Sequence, residues 1–319
     1  MIIKVQAVAL APGDVRVMKG HCDFFQSPGA FPYIPGGDLS GIVEESYPTS
    51  RFKKGKKVIA MFEVPRPLGA LAEYASVKEN LVEIAPTTAS AAEAACLTSS
   101  ALAAFFAVKR YVRDGSRVLI LGGSGGVGTF LVQLAKLSCA SYIVATTTDE
   151  KLVKSLGADH VIDYTTGQKW WEIDDFKSDP FDMVFDLVVG KREGWEMAKS
   201  SKVLKSDWKG GKYCSFNGDE PLMEIHTAWQ AAMFMLRITW RTLWTTLWVY
   251  APKYIWHNGL DVKPGSLAEI VTLFNEGKLK AVIDPSLPSE FLPEAVKIGF
   301  HVMEKRNVHG KVVIEVGID

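Results

Sequence analysis

Apolar and polar positions change their spacing along the chain near residue 95. Before that point the apolar residues fall in short, roughly alternating runs interrupted by Gly and Pro: IIKVQAVAL, PYIPGGDLSGIVEE, FKKGKKVIAMF, LAEYASV and LVEIAP. A period of two between turn-forming residues predicts a small twisted β domain. From about Ala92 the alanine-rich stretch AEAACLTSSALAAFFAVKRYV predicts a helix. After it, the short apolar runs RVLILGG, YIVATT, HVIDY, DMVFDLV and KYCSFN alternate with helical segments. That alternation predicts a doubly wound α/β domain, a parallel sheet with crossover helices. Beyond a Trp-rich segment and the helix SLAEIVTLFNEG come KAVIDPS and GKVVIEV, two strand-like runs with no helix after them, expected to rejoin the first domain. The expected division is therefore 1–95 with 255–319 for the β domain and 96–254 for the parallel-sheet domain.

Within the second pattern, RVLILGGSGGVGTFLVQLAKL places Gly123, Gly125 and Gly128 as G-x-G-x-x-G between a strand and a helix expected to begin near Val127. Glycines there allow a tight turn and close backbone approach, while the free N–H groups at the helix start face a pyrophosphate. Gly123, Ser124, Gly125, Gly126, Val127 and Gly128 are thus candidate dinucleotide contacts, within a fold of the Rossmann type. The next strand selects the dinucleotide. Where an acid would bind the ribose 2′-OH of NADH, the chain has Thr146, Thr147 and Thr148, and Asp149 reads as a cap of the following helix. Hydroxyls with Lys151 suit a 2′-phosphate, which points to NADPH.

Composition narrows the function further. The 36 Lys and Arg balance the 36 Asp and Glu, which argues against a nucleic-acid partner. Cys22, Cys96, Cys139 and Cys214 form no C-x-x-C pair, so neither a zinc ribbon nor a disulfide framework is expected. The N-terminal run reads as a strand and carries no targeting signal as written.

The segment AWQAAMFMLRITWRTLWTTLWVY predicts a helix with Trp240, Trp244 and Trp248 on one stripe. Apolar on nearly every side, it is expected to be buried in the core or a dimer interface. A wall of a greasy substrate cleft is the second reading, and contact with a membrane surface the least favoured. Arg237 and Arg241 are expected to be solvated or paired with carboxylates.

The ordered segments APGDVRVMKG, FPYIPGGDLSGIVEE, FKKGKKV, GALAEYASV, LGGSGGVG, LGADHVIDY, FDMVFDLVVG, GGKYCSFNG, GKLKAVID and HGKVVIEV resemble the medium-chain dehydrogenase/reductase superfamily, in its zinc-free quinone oxidoreductase branch. Within that branch, MFEVPRPLGALAEYASV and the long insert before KYIWHNG are most similar to the reticulon-interacting mitochondrial oxidoreductases. The resemblance implies a GroES-like domain built from both chain ends, a Rossmann domain between them, a substrate cleft at their junction and a homodimer. It adds Tyr164, at the end of LGADHVIDY, to the cofactor contacts. It also implies that no metal is held, because Gly36-Gly37-Asp38 stands where zinc-binding relatives have Gly-His-Glu, and their cysteine ligand is missing. Asp38 itself reads as a carboxylate satisfied by backbone in a glycine turn.

Three departures fall at the nicotinamide end of the resemblance. Ala11-Pro12-Gly13-Asp14 replaces Asn-Pro-x-Asp, Ala103 replaces a Thr, and His21 and Cys22 follow Gly20 where related enoyl reductases have a proton-donating Tyr. His21 is accordingly the candidate proton donor. The expected function is NADPH-dependent, zinc-independent reduction of a small hydrophobic electrophile, a quinone or an α,β-unsaturated carbonyl. Ala11 and Ala103 motivate the alternative, an NADPH-binding scaffold or partner-interacting protein with little turnover. The expected setting is the cytoplasm or, after loss of a targeting peptide, the interior of a mitochondrion or plastid.

Overall fold

A computed structural model describes the chain except for residues 22, 26, 28–30, 63–66, 189–191, 218–223, 258–264, 287–291, 306–307 and 317–319. In chain order the elements are β1 (Ile2–Leu10), α1 (Pro12–Met18), β2 (Asp38–Glu45), β3 (Lys57–Met61), β4 (Tyr74–Ser76), β5 (Val82–Ile84), α2 (Ala91–Cys96) and α3 (Ser99–Tyr111). Next come β6 (Arg117–Leu121), α4 (Gly128–Leu137), β7 (Tyr142–Thr146), α5 (Glu150–Ser155), β8 (His160–Ile162), α6 (Asp174–Ser178), β9 (Met183–Asp186) and α7 (Arg192–Ser200). The remainder are β10 (Lys212–Ser215), α8 (Ala228–Leu247), β11 (Lys253–Trp256), α9 (Ser266–Asn275), α10 (Pro293–Lys305) and β12 (Val312–Glu315). They divide into two compact units, residues 1–103 with 260–319, and residues 104–259.

The first unit holds a six-stranded antiparallel sheet in the order β12-β1-β2-β3-β5, with β4 also paired to β1. Its long first strand joins the two ends of the chain: Ala7 to Leu10 pair with Glu315 to Val312. One side of this sheet closes over Val5, Val8, Leu39, Val58, Phe300 and Ile314, all buried. At about 1.5–3 kcal/mol for each such side chain removed from water, this core outweighs any single polar contact in the unit. Helix α2 opens with a capping box, in which Ser90 Oγ accepts from Glu93 N at 3.2 Å and the Glu93 carboxylate accepts from Ser90 N at 2.9 Å.

The second unit is a parallel sheet in the order β11-β10-β9-β6-β7-β8. Written by position within the unit this is 3-2-1-4-5-6, the doubly wound Rossmann order. Strands RVLIL and MVFD are buried almost throughout, which is why they read as continuous apolar runs and not as alternating ones.

Several expectations require correction. The junctions fall at 103/104 and 259/260, beyond the compositional changes near 95/96 and 254/255. Strand β11 continues the parallel sheet beside β10, and α2 packs on β1 and β2. KAVIDPS forms only a single bridge, Ile283 to Lys311. There Asp284 accepts from Ser286 N and His309 N, at 2.9 and 2.7 Å, turning the chain before a strand can extend. Helices α1 and α10 were not legible as helices in the alternating pattern; both start with proline, suited to a first helical turn.

Candidate functional site

The carboxyl ends of β6 and β9 are neighbours at the point where the strand order reverses, the place where open α/β sheets bind ligands. The chain leaves β6 through Gly122, whose φ of +89° lies in the left-handed region. Its amide donates to Thr146 Oγ1 at 2.9 Å, and the Gly123 amide donates to Thr146 O at 2.9 Å. A side chain at Gly123 would put its Cβ 2.7 Å from Ala145 Cβ, and one at Gly128 would meet Gly122 O at 2.1 Å. These two glycines are required by the packing of the turn itself. Gly125 differs: a Cβ there would lie an ordinary 3.5 Å from Gly122 O.

Gly125, Gly126 and Val127 are partly exposed, while Ser124 and Gly128 are buried. Among the described residues, the amides of Gly126 and Val127 have no hydrogen-bond partner. Two open N–H groups at the start of an α-helix form a cradle for an anionic group, with the positive end of the helix behind it. The backbone therefore fits the pyrophosphate of a dinucleotide.

The threonines after β7 do different work from that expected. Thr146 is buried and its hydroxyl and carbonyl are both engaged in holding the glycine turn. Thr147 is buried too, and its hydroxyl accepts from Asp149 N at 2.9 Å. Asp149 caps α5 through a 2.9 Å bond from Leu152 N. Thr148, Glu150 and Lys151 are exposed at this end, Glu150 paired to Lys154 at 2.6 Å, and Tyr164 is 52% exposed in the turn after β8. Thr146 and Thr147 shape the turn; they do not present their hydroxyls to solvent.

Beside the glycine turn, β9 ends in Asp186, which is buried and accepts from Tyr213 Oη at 2.7 Å and from Val188 N at 3.1 Å. Burial, reinforced by the Asp186 charge, holds the Tyr213 phenol well above its ordinary range. His257 follows β11, with its ring 4.6 Å from Phe216. Burial and then the charge of Arg110 lower its pKa, and its buried Nε2 has no partner among the described residues. Neither Asp186 nor His257 was singled out by the sequence, because nothing in DMVFDLV or KYIWHNG marks which polar residue ends a buried strand.

The first unit carries a separate cluster of charge. Asp38 and Lys311 form a 3.1 Å ion pair with both side chains 3% exposed. Asp38 also accepts from Ser99 Oγ at 2.6 Å and Ser99 N at 3.3 Å, while Lys311 donates to Ser100 Oγ at 3.2 Å. Asp38 is thus held by a cation and a serine, which corrects the reading of a carboxylate satisfied by glycine-turn backbone. Near it, Asp14 accepts from Ala11 N at 2.8 Å. Its pKa rises to about 6, chiefly through burial, with the Asp38 charge adding and the Ala11, Lys311 and Gly36 contacts opposing.

His21 lies in the turn after α1, where its amide donates to Arg16 O at 3.0 Å. Its Nδ1 is buried without a hydrogen-bond partner among the described residues. Cys22 lies outside the described residues. No group of three or more His, Cys, Asp and Glu placed to hold a metal occurs among the described residues.

Fold and sequence together define the class. Residues 1–87 match the family profile described as the alcohol dehydrogenase GroES-like domain, and residues 156–314 that described as zinc-binding dehydrogenase. The chain belongs to the medium-chain dehydrogenase/reductase superfamily. It is 32% identical over 335 residues to the NAD(P)H oxidoreductase RTN4IP1, mitochondrial, of Bos taurus, covering 99% of this chain and 81% of that protein. It is 33% identical over 327 residues to the NADPH-dependent alkenal/one oxidoreductase, chloroplastic, of Arabidopsis thaliana, with 98% and 71% covered. Among solved structures, an NAD-dependent alcohol dehydrogenase superposes with a TM-score of 0.76 at 23% identity, over 99% of this chain and 91% of that one. That likeness speaks for the fold alone.

Proposed function

We propose that the chain is an NADPH-dependent, zinc-independent oxidoreductase that reduces quinones or α,β-unsaturated carbonyls. The observation that carries the reading is the pair of open amides at Gly126 and Val127, set at the strand-order reversal of a Rossmann sheet. Relatives named as a quinone-oxidoreductase homolog and an NADPH-dependent alkenal/one oxidoreductase support the substrate class, and one named as an NAD(P)H oxidoreductase supports a nicotinamide cofactor.

In this reading the glycine turn binds pyrophosphate through backbone, and Lys151 with Thr148 and Tyr164 receives the 2′-phosphate. Thr146 and Thr147 act behind them by fixing the turn. When bound, the dinucleotide supplies hydride to an electrophilic carbon. The protein contributes orientation and exclusion of water, and His21 is the proposed proton donor. Zinc independence is supported by the donor set, since Asp38 is already committed to Lys311 and Ser99 and Ala11 offers no ligand, whereas tetrahedral zinc needs three or four N, S or O donors.

Ala11 and Ala103 favour one second reading, a protein that binds NADPH without turnover. The test is NADPH consumption with a panel of quinones and enones, run beside a calorimetric titration of NADPH and repeated after chelation. Turnover that survives chelation supports the reductase. Binding without turnover supports the scaffold, and failure to bind NADPH removes both.

A further inference from the structure

Helix α8 buries Ala231, Phe234, Ile238 and Thr245 on one face. Phe234 meets Trp256 of β11 edge-on at 5.3 Å between ring centroids, and Thr245 Oγ1 accepts from Tyr254 N at 3.2 Å. The expected burial of the helix in the core is therefore corrected: one face is packed, and the other is not. Trp229, Met233, Leu236, Trp240, Leu243 and Leu247 are 38–74% exposed and follow one another at alternating steps of four and three residues. At 100° per residue these six fall in a stripe about 80° wide, directly opposite the packed face. A narrow stripe with that alternation is the a and d seam of a coiled coil, in which each apolar side chain enters a gap on a facing helix.

Such a seam calls for a helix of matching length and pattern, and a second copy of α8 supplies one. Turned end to end about Ile238, the series coincides with itself: position 229 meets 247, 233 meets 243 and 236 meets 240. Every layer then sets a Trp or a Met against a Leu, whereas a parallel pair would set Trp against Trp in two layers. The area suffices as well. Taking roughly 150–250 Å² for a whole Trp and somewhat less for Leu and Met, the exposed fractions amount to about 700 Å² per copy, and a specific interface buries about 800 Å² on each side. A patch of that size is larger than the 300–600 Å² or so typical of the largest patch on a monomer. Composition agrees, since α8 holds three Trp, two Met and two Arg but no Lys, Asp or Glu, the bias found at the centre of protein interfaces. The arginines beside the seam are met within their own unit: Arg241 stands over the Tyr254 ring at 4.7 Å, and Arg237 lines one cavity with Glu196 and another with Glu224.

We propose that two copies of the chain pair antiparallel through α8, with Trp229 against Leu247, Met233 against Leu243 and Leu236 against Trp240 of the second copy. The test is equilibrium sedimentation of the full chain, which requires no variant: a particle of twice the chain mass is expected at micromolar concentration. The exposed pair Leu236→Ser with Trp240→Ser is expected to raise the dissociation constant at least about 100-fold, while the far-ultraviolet circular dichroism stays native. Charges then report the register. Met233→Glu alone and Leu243→Lys alone should each weaken the dimer by a similar factor. Both in one chain should restore it to within about tenfold of wild type, because each Glu then faces a Lys across the antiparallel seam. The two positions stand about 15 Å apart along one helix, so only a second copy can bring them together. Three results would overturn the proposal: a monomer at every concentration, a dimer that the serine pair leaves intact, or charge variants that associate no better together than singly. A monomer whose Trp fluorescence is quenched by brominated phosphatidylcholine would overturn it in favour of a bilayer.

Discussion

The glycine turn after β6 and the Asp38–Lys311 cluster are both sites where the chain has little freedom, but they differ in how the constraint is made. The turn spans a few consecutive residues and relies on missing side chains, with the Gly128 position only 2.1 Å from Gly122 O for any added Cβ. The cluster brings together residues 38, 99, 100 and 311 and relies on charges that must satisfy one another away from water. A local backbone constraint can be recognised in a string of letters. A balance of buried charges exists only after the fold has assembled it, and it is sensitive to the loss of any one member.

The largest effect is expected at the turn. Gly128→Val would force backbone apart and eliminate dinucleotide binding, measured by titration calorimetry alongside circular dichroism. Gly125→Ala sharpens the comparison, since its Cβ fits at 3.5 Å from Gly122 O. It should leave the melting temperature nearly unchanged while weakening NADPH at least tenfold by crowding the pyrophosphate. If Gly125→Ala binds NADPH normally, the exposed edge of the turn is not the cofactor cradle.

Next in size is the cluster. Lys311→Met strands the Asp38 carboxylate in a buried site and should cost about 3–5 kcal/mol in urea unfolding. Combining it with Asp38→Leu should recover much of that loss, because no charge is then left unpaired. A double variant as unstable as the single one would mean that packing, not charge, is the constraint.

A smaller effect is expected at the ribose end. Lys151→Ala should reduce the preference for NADPH over NADH about tenfold, the loss of one charge-assisted contact worth roughly 1.5–3 kcal/mol. Equal loss for both cofactors would place Lys151 elsewhere.

Smallest is the pH effect at Asp14. Its pKa is raised from 3.8 to about 6, so between those values the folded state holds a proton that the unfolded chain has released. Stability therefore declines as pH rises through that window. Asp14→Asn keeps an acceptor for Ala11 N and should remove this decline, gaining on the order of 1 kcal/mol at pH 8 relative to wild type. An unchanged pH profile would show that Asp14 titrates normally.

How far the sequence could be read follows the same division. RVLIL, YIVAT and MVFD were legible because strands buried on both faces are continuous apolar runs, and the turn because its glycines all fall between Gly122 and Gly128. Lys311 sits in a strand-like run and gives no sign that its partner lies 273 positions earlier. Thr146 and Thr147 were read by position alone, and only the geometry shows their hydroxyls spent on the backbone. The exposed stripe of α8 was hidden by the richness of the segment in apolar residues, which made both faces look alike until β11 claimed one of them.

The cysteines give the two units separate clocks. Cys96 is buried in the first unit and Cys214 in the second. Burial pushes the Cys96 thiol up to about 12, and burial with the Asp186 charge moves Cys214 in the same direction. Neither is nucleophilic while its unit stays closed. Among the described cysteines, an alkylating reagent would first consume Cys139, which is exposed, and would then reach each buried thiol only as often as its own unit opens. Mass spectrometry of the two peptides over time would therefore give two opening rates from one sample. Adding NADPH to that sample would show which half of the molecule the cofactor makes slower to breathe.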